Sequence, residues 1–201
     1  MAAFVLVHGT GGGGWYWQFI APLLRAAGHD VYTPTLTGLG ANSHLLHEHN
    51  NRISLDTHVK DVTNLLFYED LSEVVLVGHS YGGMVITGVA AKEPKRLTQL
   101  VYVDAYLPLE GGNEIALSPA DQKKKYHDDL ASGIRFRPPI ASSMLEITDP
   151  KMSKWVQERL TPHPYSTYEV IVSFPNGVTQ VINSVEITGG SAHELNFSYN
   201  G

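Results

Sequence analysis

Gly78-His79-Ser80-Tyr81-Gly82 follows the pattern G-x-S-x-G, and Gly83 extends it. The chemistry this spacing suits is nucleophilic attack by a serine hydroxyl. The serine must stand on a sharp strand-to-helix turn, with small neighbours that let strand and helix approach and leave the hydroxyl raised into a cleft. The N-terminus of the following helix favours the negative charge that develops in acyl transfer. His8-Gly9-Thr10 supplies a second half-site. Two backbone N–H groups aimed at a tetrahedral oxyanion contribute roughly 3 kcal/mol each. The expected donors are Tyr81, directly after the nucleophile, and Thr10, in the loop after the first strand. The run Gly11 to Gly14 is not a phosphate loop, because no Gly-Lys-Ser/Thr follows it.

The elements that must position these residues alternate strand and helix. Ala3 to Val7 is a short apolar strand, and Tyr16 to Ala27 is expected as a helix, with Phe19, Leu23 and Leu24 inward, Pro22 as a possible kink and Gly28 as its stop. His29 to Thr33 is a second strand. Ser54 suits an N-cap for a helix in which Leu55, Val59, Val62 and Leu66 recur at helical spacing. Val74 to Val77 reads as a buried parallel strand, Tyr81 to Ala91 as a helix and Leu100 to Val103 as a fourth strand. This alternation implies an α/β fold, a mainly parallel sheet with helices on both faces and ligands beyond the carboxyl ends of its strands.

Three stretches follow: a core over 1–104, an inserted cap over 105–168 and an atypical C-terminal segment over 169–201, together one domain. Prolines multiply in the cap, and Asp149-Pro150 opens a helix carrying Met152, Trp155, Val156 and Leu160 on one side. Trp155, Met152 and Tyr126 are candidates to line an acyl pocket. In the tail, Asn176-Gly177 suits a tight turn between strands at Glu169 to Phe174 and Val178 to Ile187.

The 201 residues are 43% apolar and 17% charged, with a net charge of -6, so there is a sizeable core and no basic footprint for nucleic acid. The absence of cysteine excludes disulfides, thiolate zinc sites and a Cys nucleophile. No signal peptide or membrane span is legible, and a cytoplasmic location is the expectation. His44, His47 and His49 with Glu48 fit no zinc spacing and read as a polar loop. Lys123-Lys124-Lys125 reads as a solvated cap face.

His8-Gly9, Trp15, Ala21-Pro22-Leu23-Leu24, Ala27-Gly28-His29, Leu36-Thr37-Gly38-Leu39-Gly40 and Gly78 to Met84 resemble the small esterase and hydroxynitrile-lyase branch of the α/β-hydrolases. That branch includes plant methyl esterases and bacterial carboxylesterases, some acting on pyrethroids. The resemblance spans about residues 3 to 168. It implies a Ser–His–Asp triad with Ser80 as nucleophile, no metal and no organic cofactor.

The expected function is a serine carboxylesterase that hydrolyses a small to medium hydrophobic ester through an acyl-enzyme on Ser80. The alternatives are a lyase that cleaves cyanohydrins and a hydrolase-fold binding protein whose triad is impaired. No nucleic-acid or membrane partner is implied. A sheet ending at the fourth strand would leave an open edge, which motivates a possible homodimer.

The family pattern places the triad acid and base after two further strands. Here no Asp follows Asp149, and the late histidines are His163 and His193. The tail thus reads as a shortened or altered end with incomplete C-terminal strands. His193 is the expected base, ahead of His163; Asp104, at the end of the fourth strand, and Glu186 are the candidates for the acid. His79 reads as a residue that shapes the turn.

Overall fold

The computed structural model describes residues 1–48, 53–108, 113–145, 147–170, 183–188 and 191–195. Strand β1 (Ala3–Val7) leads through a 3₁₀ turn at Gly14–Trp17 to helix α1 (Ala21–Ala26) and strand β2 (Asp30–Tyr32). Helices α2 (Leu45–Glu48) and α3 (Leu55–Tyr68), strand β3 (Val74–His79), helix α4 (Gly82–Lys92) and strand β4 (Leu97–Val103) complete the first half. Next come α5 (Glu114–Leu117), α6 (Ala120–Ala131), β5 (Phe136–Arg137), α7 (Pro150–Gln157), β6 (His163–Pro164), β7 (Asn183–Thr188) and β8 (Ser191–Leu195).

Six strands form one sheet in the order β2-β1-β3-β4-β7-β8, parallel except for β8. Side chains alternate across it, as the strand period requires. Val5, Val7, Val74 and Leu76 enter the larger core under α3 and α4, while Leu6 and Val77 enter a smaller one with Trp17, Ala21 and Val31. Helix α4 is buried from Gly82 to Ala91, the state expected of a helix apolar all round. Helix α3 starts at Ser54, where Ser54 and Thr57 form a reciprocal capping box, and it buries Leu55, Val59, Val62 and Leu66. Asp149 caps α7 by accepting from the Lys151 N–H at 2.8 Å, with Pro150 in the first turn.

Three expectations need correction. The helix expected over Tyr16–Ala27 is a 3₁₀ turn followed by a six-residue helix, because Pro22 fits only a first turn. Phe19 and Leu23 are exposed rather than inward, and Gly28 ends the helix at φ +87° as expected. The sheet does not stop at the fourth strand: β7 pairs parallel with β4, so β4 is not an edge. The antiparallel hairpin of the tail is β7–β8, with Ile187 inside its first strand. The Asn176-Gly177 turn lies outside the described residues.

Strands β5 and β6 form their own small antiparallel pair, apart from the main sheet. Lys124 and Lys125 are exposed and pair with Asp128 and Asp129 one turn on. Among the described residues no helix is long and apolar enough to cross a membrane.

Candidate active site

Ser80 sits between β3 and α4 with φ +51°, in the left-handed region that costs a non-glycine residue energy. Its neighbours explain why the turn closes. A Cβ on Gly78 would stand 2.6 Å from the Gly82 carbonyl oxygen, one on Gly82 would stand 2.7 Å from the Val7 oxygen, and one on Gly83 would overlap the Tyr106 oxygen. The Ser80 N–H donates to Val103 O at 3.4 Å, and the Ser80 carbonyl accepts from Gly83 N at 3.0 Å and Tyr106 N at 3.0 Å. The serine is thus knitted to the loop that leaves β4.

The loop after β1 lies against it: a Cβ on Gly9 would stand 2.9 Å from Ser80 Cβ. Among the described residues no backbone acceptor takes the N–H of Thr10 or of Tyr81, as oxyanion donors require. Thr10 Oγ1 is 3.2 Å from the Tyr168 hydroxyl, and the Gly11 N–H donates to His163 Nδ1 at 3.2 Å.

Three buried histidines underlie this loop, and their partners fix their tautomers. His8 Nε2 accepts from the Leu36 N–H, so Nδ1 donates to Gly9 O. His58 Nε2 donates to Thr37 O, so Nδ1 accepts from the Tyr81 hydroxyl at 2.8 Å. His163 Nδ1 accepts from Gly11, so Nε2 donates to Thr167 Oγ1 at 2.9 Å, whose own proton goes to Pro164 O. Each imidazole is neutral with both nitrogens engaged. Burial holds His8 and His58 down at about 4 and His163 well below the ordinary value.

Glu114 of α5 is the counterpart. Burial pushes its carboxyl up to about 8, against the pull of Arg137, and its Oε2 has no hydrogen-bond partner among the described residues. These shifts set an expected pH profile for stability. The unfolded chain binds histidine protons below 6.5, whereas folded His8 and His58 bind them only near 4. Their contribution is whole above pH 6.5 and is lost as pH falls toward 4, on the order of 3 kcal/mol each. Glu114 acts oppositely: its contribution is whole below 4.5 and is lost as pH rises toward 8. Several histidines outweigh one glutamate below pH 6.5, and the glutamate acts alone above it. The thermal midpoint is therefore expected to peak near pH 6.5 and to fall on both sides. A midpoint unchanged from acid to pH 8 would contradict this burial.

A cavity of about 500 Å³ is walled by Trp15, Tyr16, Phe19, Met144, Met152 and Trp155, with His79, the residue before Ser80, and Asp104 in its lining. Trp155 of α7 meets Trp15 edge-on at 5.2 Å and Phe19 at 6.0 Å, so α7 closes this side. Arg159 lies 4.2 Å over the Trp155 ring. Tyr126 does not belong here; it lines a separate cavity with Glu114 and Arg137. His79 stacks on Tyr16, with ring centres 5.3 Å apart, and its Nδ1 is buried with no partner among the described residues. Asp104 is exposed, with φ +42°.

The structure thus lays the loop that carries Thr10 against Ser80 and Tyr81, while His79 and Asp104 line the cavity described above. It does not bring His193 to the serine. His193 pairs with Glu186, which pairs with Tyr102, which pairs with Gly78. That row spans three strand spacings, about 14 Å of sheet at ~4.8 Å each. His163 is committed to Gly11 and Thr167. Among the described residues no imidazole hydrogen-bonds to Ser80 Oγ. His58 escaped the sequence reading, although its position three after Leu55 puts it on the buried face of α3. Tyr168 carries no such periodic signal. His44 and His47 are exposed, and His49 lies outside the described residues.

A family model described as the alpha/beta hydrolase family matches residues 4–181. A carbendazim hydrolyzing esterase from Nocardioides sp. (strain SG-4G) is 37% identical over 208 residues, covering 99% of this chain and 84% of that protein. This match runs beyond residue 168, where the motif resemblance ended. Methyl jasmonate esterase 1 from Vitis vinifera is 40% identical over 108 residues, 52% of this chain and 40% of the relative, so the match spans less than half of the plant protein. Among solved structures, an extracellular alpha/beta-hydrolase from a Paenibacillus species superposes with a TM-score of 0.81 at 26% identity, covering 93% of this chain and 77% of the other.

Proposed function

The chain belongs to the alpha/beta hydrolase family, and from that premise we propose that it is a serine carboxylesterase with Ser80 as nucleophile. The observation that carries the proposal is the left-handed backbone of Ser80, held between β3 and α4 by glycines that no larger residue can replace. Relatives named as esterases support ester hydrolysis as the reaction.

Ser80 Oγ attacks the ester carbonyl carbon and gives its proton to a neighbouring base. The carbonyl oxygen becomes an oxyanion held by the N–H groups of Tyr81 and Thr10. Collapse of this intermediate breaks the bond to the alkoxy group, which leaves as the alcohol after taking the proton from the base. Water then attacks the acyl-serine by the same route and releases the acid. No residue is required to hold a metal or organic cofactor for these steps.

The aromatic cavity supports a small to medium hydrophobic ester. Its test is Trp155→Ala with p-nitrophenyl butyrate. Loss of one aromatic wall is expected to raise KM about 5-fold, an effect of roughly 1 kcal/mol, with kcat nearly unchanged. An unchanged KM would place the acyl group elsewhere. If no ester is turned over, while hydrophobic ligands raise the thermal midpoint, the chain is a binding protein on a hydrolase body.

A further inference from the structure

We propose that His163 and Tyr168 are positioning residues for ester hydrolysis, which set the loop after β1 so that the Thr10 N–H is aimed at the oxyanion. The proposal rests on the reading of Ser80 as nucleophile and deepens it. The first observation is the loop itself. The Gly12 N–H donates to Gly9 O at 3.2 Å, which closes a turn with Thr10 and Gly11 at its centre. Gly11 has φ +65°, the left-handed value that the second central position of a type II turn requires. Gly9 O also accepts from His8 Nδ1 at 2.9 Å. The peptide between Gly9 and Thr10 is trans and planar, so its oxygen and its hydrogen point opposite ways. With Gly9 O pinned toward His8 and Gly12, the Thr10 N–H points away from them, and no backbone acceptor takes it among the described residues. Its direction is therefore fixed by whatever fixes the turn.

The second observation is what grips the turn. Both backbone polar atoms of Gly11 are held from the segment 161–168. Its N–H donates to His163 Nδ1 at 3.2 Å, and its carbonyl accepts from the Thr161 N–H at 2.9 Å and from Thr161 Oγ1 at 3.2 Å. Thr10 Oγ1 lies 3.2 Å from the Tyr168 hydroxyl. His163 and Tyr168 act as one unit, with their rings stacked 5.0 Å apart at 12°. The His163 ring also meets, edge-on at 4.7 Å, the ring of Tyr81, whose N–H is the other expected donor. The pair thus touches both halves of the oxyanion site. The third observation is the choice of residue. His163 is fully buried, where an imidazole costs more than an apolar side chain of similar size. What the imidazole adds is direction: Nε2 donates to Thr167 Oγ1, which leaves the lone pair of Nδ1 facing Gly11. A donor fixed in advance needs no reorganisation as charge develops on the ester oxygen.

The test compares the full chain with His163→Leu, His163→Asn and Tyr168→Phe, by p-nitrophenyl butyrate hydrolysis and by the rate at which a fluorophosphonate labels Ser80. Outright loss of an oxyanion donor costs about 10² to 10³-fold in kcat, so misdirection of one is expected to cost about 10 to 10²-fold. His163→Leu is expected to show that loss in kcat and in the labelling rate, with KM within about 2-fold. His163→Asn carries an amide oxygen that can accept from Gly11 in place of Nδ1, and its rate is expected within about 5-fold of wild type. Tyr168→Phe keeps the ring stack and loses only the hydroxyl; a fall of about 3 to 10-fold in kcat is expected, with the thermal midpoint within a few degrees. A merely structural role would lower the midpoint and leave the kcat of the folded protein alone. Wild-type kcat and labelling rate in His163→Leu would overturn the proposal and leave the nucleophile standing; if that variant does not fold, a wild-type rate in Tyr168→Phe would overturn it. A wild type whose Ser80 takes no label would overturn the nucleophile and the positioning pair with it.

Discussion

Replacing Ser80 with Ala is expected to lower kcat/KM for p-nitrophenyl butyrate by at least about 10³-fold while the thermal midpoint stays within a few degrees. The reason lies in what the protein spends on this one residue. Ser80 holds φ +51°, a conformation costing about 1 kcal/mol or more for a residue with a Cβ. Gly78, Gly82 and Gly83 are all at contact distances that forbid a methyl group. Asp70 and Glu73 also hold left-handed φ in turns, so what marks Ser80 is the crowding of Gly78, Gly82 and Gly83 around it. Here strain falls on the serine and the freedom is given up around it. His193→Ala is expected to change the rate by less than about 3-fold, because a base must come within about 3 Å of the proton it takes and the register seats β8 three strands from β3. Equal rates for wild type and Ser80→Ala would mean that catalysis by the serine is absent; a large loss in His193→Ala would mean that the tail reaches the cleft after all.

The second large effect is expected at Gly83. A methyl group there would overlap the carbonyl oxygen of Tyr106. That residue's N–H donates to the Ser80 carbonyl at 3.0 Å, so relief of the clash must pull the β4 loop away from Ser80. Gly83→Ala is expected to cost at least about 3 kcal/mol, which lowers the thermal midpoint by roughly 10 °C for a chain of this size. Activity should fall further than stability alone explains. Gly28→Ala is the control: Gly28 has φ +87° but nothing within 4 Å of its missing Cβ. It should cost only about 1 kcal/mol and leave the rate unchanged. Similar melting points for the two variants would show that the packing around Gly83 yields more easily than these distances imply.

Much of this site was legible in the sequence because its requirements are local. Ser80 and its glycines announce a strand, a turn and a helix within six residues, and Ser54 announces the start of α3. The fate of Phe19 and Leu23 was not legible, since a helical period continues through Pro22 on paper and stops there in three dimensions. The parallel pairing of β7 with β4 joins residues about 84 apart in sequence, and such pairing leaves no local mark. An Asn-Gly pair nearby suggested a hairpin with more force than the distant partner could. His79 shows the same limit at atomic scale. Its type and position were plain, but the destination of its ring depends on how the loop after β1 closes on the serine, and that loop is held by Tyr168, His163 and Thr161 from beyond α7.

The most direct test of the account is the mass of the chain after exposure to a fluorophosphonate. One adduct is expected, mapped to Ser80 and absent from Ser80→Ala. No adduct, or the same adduct on the variant, would contradict it.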